Sequence, residues 1–239
     1  MEKIHKKGFT LAEVLITLTI IGVVAALAIP SIIANNRKKE FETGFAKAYR
    51  TVTQAIMLSQ AENGELTDWD WDKVNTNDGK IALAEKYILP YFNVVKNCKL
   101  NANEGCWASG KAQYLKIGDW SNVDASTYYK FATADGMSWA IDYLNYNCIT
   151  NKKRCIVIYA DTNGKKPPYT LGMDVFLFNL YPFTNEVLPH GVYNNDVAYN
   201  ENTKEYTRNT QSTIDSDCNK PGAYCGVKIV QDGFKINYL

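Results

Sequence analysis

Lys6-Lys7-Gly8-Phe9-Thr10-Leu11-Ala12-Glu13-Val14-Leu15-Ile16-Thr17-Leu18-Thr19-Ile20-Ile21-Gly22-Val23-Val24-Ala25-Ala26-Leu27-Ala28-Ile29-Pro30-Ser31-Ile32-Ile33-Ala34 decides how the chain is organised. Between Phe9 and Ala34 the only charged residue is Glu13. About 20 apolar residues suffice to span a bilayer as a helix. At roughly 1.5 Å per residue this run reaches about 39 Å. A secretory signal peptide carries an apolar core of only about 7–15 residues, followed by a small-residue cleavage site. The present run is longer and has an acid near its start. A plain signal anchor explains the length but not Glu13, because a carboxylate in hydrocarbon costs about 2.5–3.5 kcal/mol. Something must compensate that charge. Lys3, Lys6 and Lys7 oppose Glu2 on one flank; Arg37, Lys38 and Lys39 oppose Glu40 and Glu42 on the other. The positive-inside rule therefore favours a cytoplasmic leader by a small margin.

The segment from Lys6 to Leu15, with Gly22 and Pro30 beyond it, resembles the prepilin cleavage and methylation motif of type IV pilins and type II secretion pseudopilins. The match is near-complete from Gly8 to Pro30 and covers about a tenth of the chain. The resemblance implies that a prepilin peptidase cuts between Gly8 and Phe9 and N-methylates Phe9. The leader then leaves and the apolar helix stays. The expected organisation is a leader at 1–8, a transmembrane and filament-core helix at 9–34, its amphipathic continuation at 35–63, and an extracytoplasmic head at 64–239. After cleavage Glu13 lies one helical turn from the new amine. In the resembled family the acid pairs with the Phe9 amine of a neighbouring subunit, which neutralises both charges and sets register; pairing within one helix is the competing reading. Gly22 and Pro30 are also family positions, and both weaken a helix. The stretch between them is a candidate for local extension in a filament. Assembly implies an ATPase and an inner-membrane platform protein. The implied location is the bacterial inner membrane, with the head outside the cytoplasm, and then a periplasmic pseudopilus or an extracellular pilus.

Composition agrees with one domain plus an anchor. The chain has 239 residues, 46% hydrophobic and 21% charged, which is globular rather than disordered. Lys plus Arg number 26 against 25 Asp plus Glu, so charge gives no reason to expect nucleic acid as the main ligand. Six cysteines fall in close pairs: Cys98 and Cys106, Cys148 and Cys155, Cys218 and Cys225. An even, clustered set favours three local disulfides and an oxidising compartment. Zinc is a weaker reading, since there is no C-x2-C knuckle and cleavage would leave His190 as the single histidine. Six unrelated buried thiols are the third reading.

Beyond the anchor, Phe41, Phe45, Ala48, Val52, Ala55, Ile56 and Ser59 recur at helical spacing, and Gly64 closes that helix. A loop is expected over 65–80 and a helix over about 79–95, interrupted by Pro90. Strands are expected at 128–133 and 137–143 around the Asp135-Gly136 turn, at 155–159 and at 175–178. Another hairpin is expected at 226–230 and 234–238 around Asp232-Gly233, and a mobile loop over 194–217. A long helix followed by hairpins predicts an α+β, type IV pilin-like fold, with the helix packed on an antiparallel sheet. The segments 161–176 and 218–236 also resemble parts of cysteine-containing prepilin-type proteins.

Site chemistry is sparse. Asp161, Asn163 and Asp174 supply hard oxygens of the kind Ca²⁺ takes, and the resembled family includes pseudopilins with a calcium loop. The spacing is not that of an EF-hand, because Gly164 comes two residues early. An Asn-Gly turn capped by Asp161 is the simpler reading, with calcium kept open. Catalysis would hang on His190, beside Pro189 and Gly191, and bridged cysteines offer no thiolate. Trp69, Trp71, Trp107, Trp120 and Trp139 suit either a ligand platform or packing, and packing is the simpler reading. The expected function is that of a non-enzymatic pilin or pseudopilin, with prepilin peptidase and other pilin copies as partners. The competing function is a scarce tip subunit acting as an adhesin or a DNA-uptake module.

Overall fold

Helix α1 runs over Leu11–Asn63 in the computed structural model, which describes residues 8–144 and 146–239. The chain divides into two compact units between Glu40 and Phe41. In the first unit the helix passes through Gly22 and Pro30 without a break, and apolar side chains such as Leu15, Leu18, Ile21 and Leu27 stay exposed. It is long and apolar enough to cross a membrane. Its hydroxyls bond inward: Thr17 Oγ1 donates to Glu13 O at 2.9 Å, Thr19 Oγ1 to Leu15 O at 2.8 Å and Ser31 Oγ to Ala28 O at 2.8 Å. Such bonds keep polar groups satisfied in hydrocarbon.

In the second unit the α1 residues from Phe41 onward bury one stripe: Phe41, Phe45, Ala48, Val52, Ala55, Ile56 and Ser59, the predicted face. That stripe joins a core with one face of a six-stranded antiparallel sheet in the order β1-β2-β3-β4-β5-β6. The strands are β1 Val94–Lys99, β2 Tyr129–Thr133, β3 Ser138–Tyr143, β4 Ile156–Asp161, β5 Val175–Tyr181 and β6 Glu186–Pro189. Phe45 meets Phe176 at 4.9 Å between ring centroids, and Tyr49 stacks on Phe178 at 5.7 Å. The opposite face, with Ala140, Val157, Tyr159 and Leu177, is covered by Trp107, Val123 and Leu171 from loops. β4 and β5 are therefore buried on both faces, and their sequences read as continuous apolar runs. The fold is the expected α+β, pilin-like arrangement. All six cysteines form local disulfides, Cys98–Cys106, Cys148–Cys155 and Cys218–Cys225, which removes the zinc and free-thiol readings.

Several expectations need correction. Helix α2 starts inside the expected loop, at Asn77–Leu83, because Thr76 caps it through Gly79 N–H at 3.0 Å. It continues as a π turn over Ala84–Ile88 and stops in a 3-10 turn containing Pro90. Val94 and Val95, the end of the expected helix, instead open strand β1. The C-terminal hairpin does not form: Cys225–Gln231 is helix α4, and Asp232-Gly233 is its exit rather than a turn between strands. The Cys218–Cys225 bridge ties it to helix α3, Gln211–Asn219, and a Lys228–Asp215 ion pair at 2.8 Å adds to the contact. The loop expected over 194–217 yields its last residues to α3 and buries Tyr206.

Candidate functional site

At the N-terminus, Phe9 is 88% exposed and the backbone at Gly8 has no neighbour within 4 Å of where a Cβ would stand. Glu13 turns back on its own helix. Its Oε2 accepts from Thr10 N at 2.9 Å and from Thr10 Oγ1 at 2.9 Å, while Glu13 N donates to Thr10 Oγ1 at 3.3 Å. This is a capping box, which satisfies helix-start donors reciprocally. Thr10 was missed in the sequence, although Thr10-x-x-Glu13 is the pattern that signals such a box. With Phe9 still in peptide linkage, the carboxylate is thus occupied locally, by the second residue after the expected cleavage point.

The second cluster lies at the β4–β5 connection. The register pairs Asp161, the last residue of β4, with Val175, the first of β5, so Asp174 arrives beside Asp161. Both aspartates are 0% exposed. Asp174 is well supplied: Thr170 N donates to its Oδ1 at 2.7 Å, and Tyr169 N and Asn163 Nδ2 donate to its Oδ2 at 2.9 and 3.1 Å. Asp161 accepts Asn163 N at 3.3 Å through Oδ1, which is the predicted capped turn. Its Oδ2, however, is buried without a hydrogen-bond partner, and so is Asn163 Oδ1. Burial, followed by the neighbouring Asp174 charge, pushes the Asp161 carboxyl up to about 9, and burial raises Asp174 to about 6. The orphans are thus one carboxyl oxygen and one amide oxygen, beside an Asp174 whose two oxygens are both engaged. The two unpartnered oxygens are of the hard kind that Ca²⁺ takes, against the six to eight it gathers. Among the described residues no three His, Cys, Asp or Glu side chains gather into a metal cluster.

A profile described as family of unknown function (DUF6613) matches residues 31–238, nearly all of the chain after the anchor. The chain belongs to this DUF6613 family. A second profile, the prokaryotic N-terminal methylation motif, matches residues 3–29. That motif is the hallmark of type IV pilins and pseudopilins, so this DUF6613 member joins a pilin-type N-terminus to a pilin-like head. No curated protein and no solved structure is similar to it.

The other candidate residues of this DUF6613 chain lie in the packed head. His190 packs edge-on to Tyr224, with Nδ1 3.0 Å from Asn179 Oδ1 and 3.0 Å from Arg154 Nη1. Burial, then the Arg154 charge, pulls the imidazole down to about 3, which keeps it neutral. Trp69, Trp71, Trp107 and Trp139 are buried in the cores, while Trp120 remains half-buried against Tyr159. Along the outer side of the Phe41–Asn63 segment, an apolar groove of about 860 Å³ is lined by Ala46, Tyr49, Thr53, Met57, Ala61 and Phe234.

Proposed function

We propose that this chain is a structural subunit of a type IV pilus or a type II secretion pseudopilus. In this reading prepilin peptidase cuts between Gly8 and Phe9, an inner-membrane platform accepts the product, and copies polymerise through the 9–34 helix. The carrying observation is the methylation motif at the head of a helix whose apolar side chains are exposed. Such a surface needs lipid or other helices to cover it. Once Phe9 becomes an amine, a neighbouring copy can offer Glu13 a positive charge in place of the neutral Thr10 donors. A buried charge is tolerable when paired and costly when alone. The test is Glu13→Ala, followed in membranes, periplasm and sheared surface fractions. The expected outcome is processed protein that stays in the membrane and does not enter filaments. Incorporation at the wild-type level would overturn the paired-charge mechanism. Wild-type recovery in surface filaments indicates a pilus, and retention in periplasmic filaments a pseudopilus.

We also propose that Asp161, Asn163 and Asp174 hold Ca²⁺. The two orphaned oxygens support this, because buried polar atoms without partners cost about 1–3 kcal/mol each. The ion would supply the positive charge that the two carboxylates lack. Calorimetry on the full chain in detergent, after chelator treatment, should give a binding isotherm that Asp174→Asn abolishes. No heat at millimolar Ca²⁺ ends this reading.

A further inference from the structure

We propose that the outer face of the sheet carries a carboxylate-binding site, in which the Arg154 guanidinium and the hydroxyls of Tyr181 and Tyr224 hold a singly charged ligand carboxylate. The site uses no residue of α1 and none of the Asp161 cluster.

Arg154 lies half-buried just before β4, next to the bridged Cys155. Among the described residues it forms no ion pair. Its Nη1 donates to Asn179 Oδ1 at 3.1 Å and lies 3.0 Å from Nδ1 of the neutral His190. Its Nε and Nη2 hydrogens meet no acceptor among the described residues. Asp142 acts on the cation only from beyond ion-pair distance, and its Oδ2 accepts from Tyr159 O–H at 3.4 Å. A charge taken partly out of water calls for a partner of opposite sign.

The neighbouring hydrogen bonds all run one way. The guanidinium fixes the Asn179 amide with its oxygen inward, so Nδ2 donates outward, to Tyr181 OH at 2.9 Å and to Asn195 Oδ1 at 3.5 Å. Asn195 Nδ2 then donates to Tyr224 OH at 3.2 Å. Each phenol oxygen is thus an acceptor here, and each phenol still has one proton to give. Neither gives it to a described residue, and Tyr181 is only 2% exposed. Burial raises both phenols, while the Arg154 charge opposes that rise, so both stand in its field. Tyr224 is held edge-on to His190, and Gly191, with φ +97°, leaves room for its ring: a Cβ there would collide with it. The corner therefore gathers a cation and two hydroxyl donors with no acceptor between them.

An oxyanion supplies the missing acceptors. A planar guanidinium edge matches a carboxylate, whose remaining lone pairs can take the hydroxyl protons. Asp142 acts on Arg154 and Asp196 on Tyr224. Those carboxylates repel a doubly charged phosphate more than a singly charged carboxylate.

The experiment uses the full chain, labelled with ¹⁵N-arginine, in detergent micelles near neutral pH. Sodium acetate replaces sodium chloride at constant ionic strength, and the Nε–H signals of Arg37, Arg50, Arg154 and Arg208 are followed by NMR. Loss of one signal in Arg154→Lys assigns it. The Arg154 signal should shift and saturate, while the other three stay in place. Tyr224→Phe and Tyr181→Phe keep the rings and remove only the hydroxyls; each should weaken acetate binding about tenfold. Inorganic phosphate, the second probe, should bind more weakly than acetate. No saturable shift at Arg154, or equal shifts at all the arginines, would overturn the site. Wild-type acetate affinity in both Phe variants would overturn the part given to the hydroxyls, and tighter binding of phosphate would overturn the choice of a carboxylate.

Discussion

At residue 13 the chain places a carboxylate where hydrocarbon is otherwise continuous. Its importance was legible in the sequence, because one acid in a 9–34 apolar run has no place in a disposable signal. Its local partner is masked by the apolar run around it: Thr10 and Glu13 form a capping box at the head of a membrane-length helix. The Asp161 turn was legible from Asn163-Gly164, whereas the approach of Asp174 to Asp161 depends on the β4–β5 register. His190 yields a prediction at this scale. Its folded value of about 3 lies below the ordinary 6.5, so the unfolded chain binds the extra proton between those values. Stability from the neutral imidazole is then fully present above pH 6.5 and is lost as pH falls toward 3. The slope is at most about 1.4 kcal/mol per pH unit. Denaturation of wild type and His190→Asn at pH 7 and pH 4.5 checks this: the gap between them should narrow or reverse at the lower pH. A constant gap would show that the imidazole takes no part in acid sensitivity.

At the scale of elements, α1 separates into faces that mutation should distinguish. Phe45 is fully buried against Phe176 and Phe178, so Phe45→Ala should destabilise the head by about 3–5 kcal/mol. Met57 is 63% exposed on the same helix, and Met57→Ala should change stability by no more than about 0.5 kcal/mol. Urea denaturation of the two variants compares them directly; equal effects would mean that the inward stripe is misplaced. This stripe was legible from its helical period, and the β2–β5 strands from their apolar or aromatic runs and the Asp135-Gly136 turn between β2 and β3. The last helix was not. Val227 and Ile229 alternate as in a strand, yet the Cys218–Cys225 bridge and the contact with α3 hold the segment helical. Tertiary contacts overrode local pattern there. The bridges themselves carry a prediction: the Cys148→Ala, Cys155→Ala double variant should lose about 2–5 kcal/mol.

Taken as a whole, the molecule joins two pieces with different surfaces. Up to Glu40 the helix exposes apolar side chains; from Phe41 on, the chain buries a core on each face of its sheet. The sequence announced the first piece, since length and composition alone define a span. It did not announce the second layer of the head. Trp107, Val123 and Leu171 come from loops with no period, and only the three-dimensional path brings them over Tyr159 and Leu177. The methylation motif lies in the first piece, which is why the functional class was readable while the outer core was not. The most direct measurement is mass spectrometry of the N-terminus of protein taken from native membranes. The account predicts a chain that begins with N-methyl-Phe9 and lacks Met1 to Gly8. An intact leader, or a cut after Ala28 or Ala34, would contradict it.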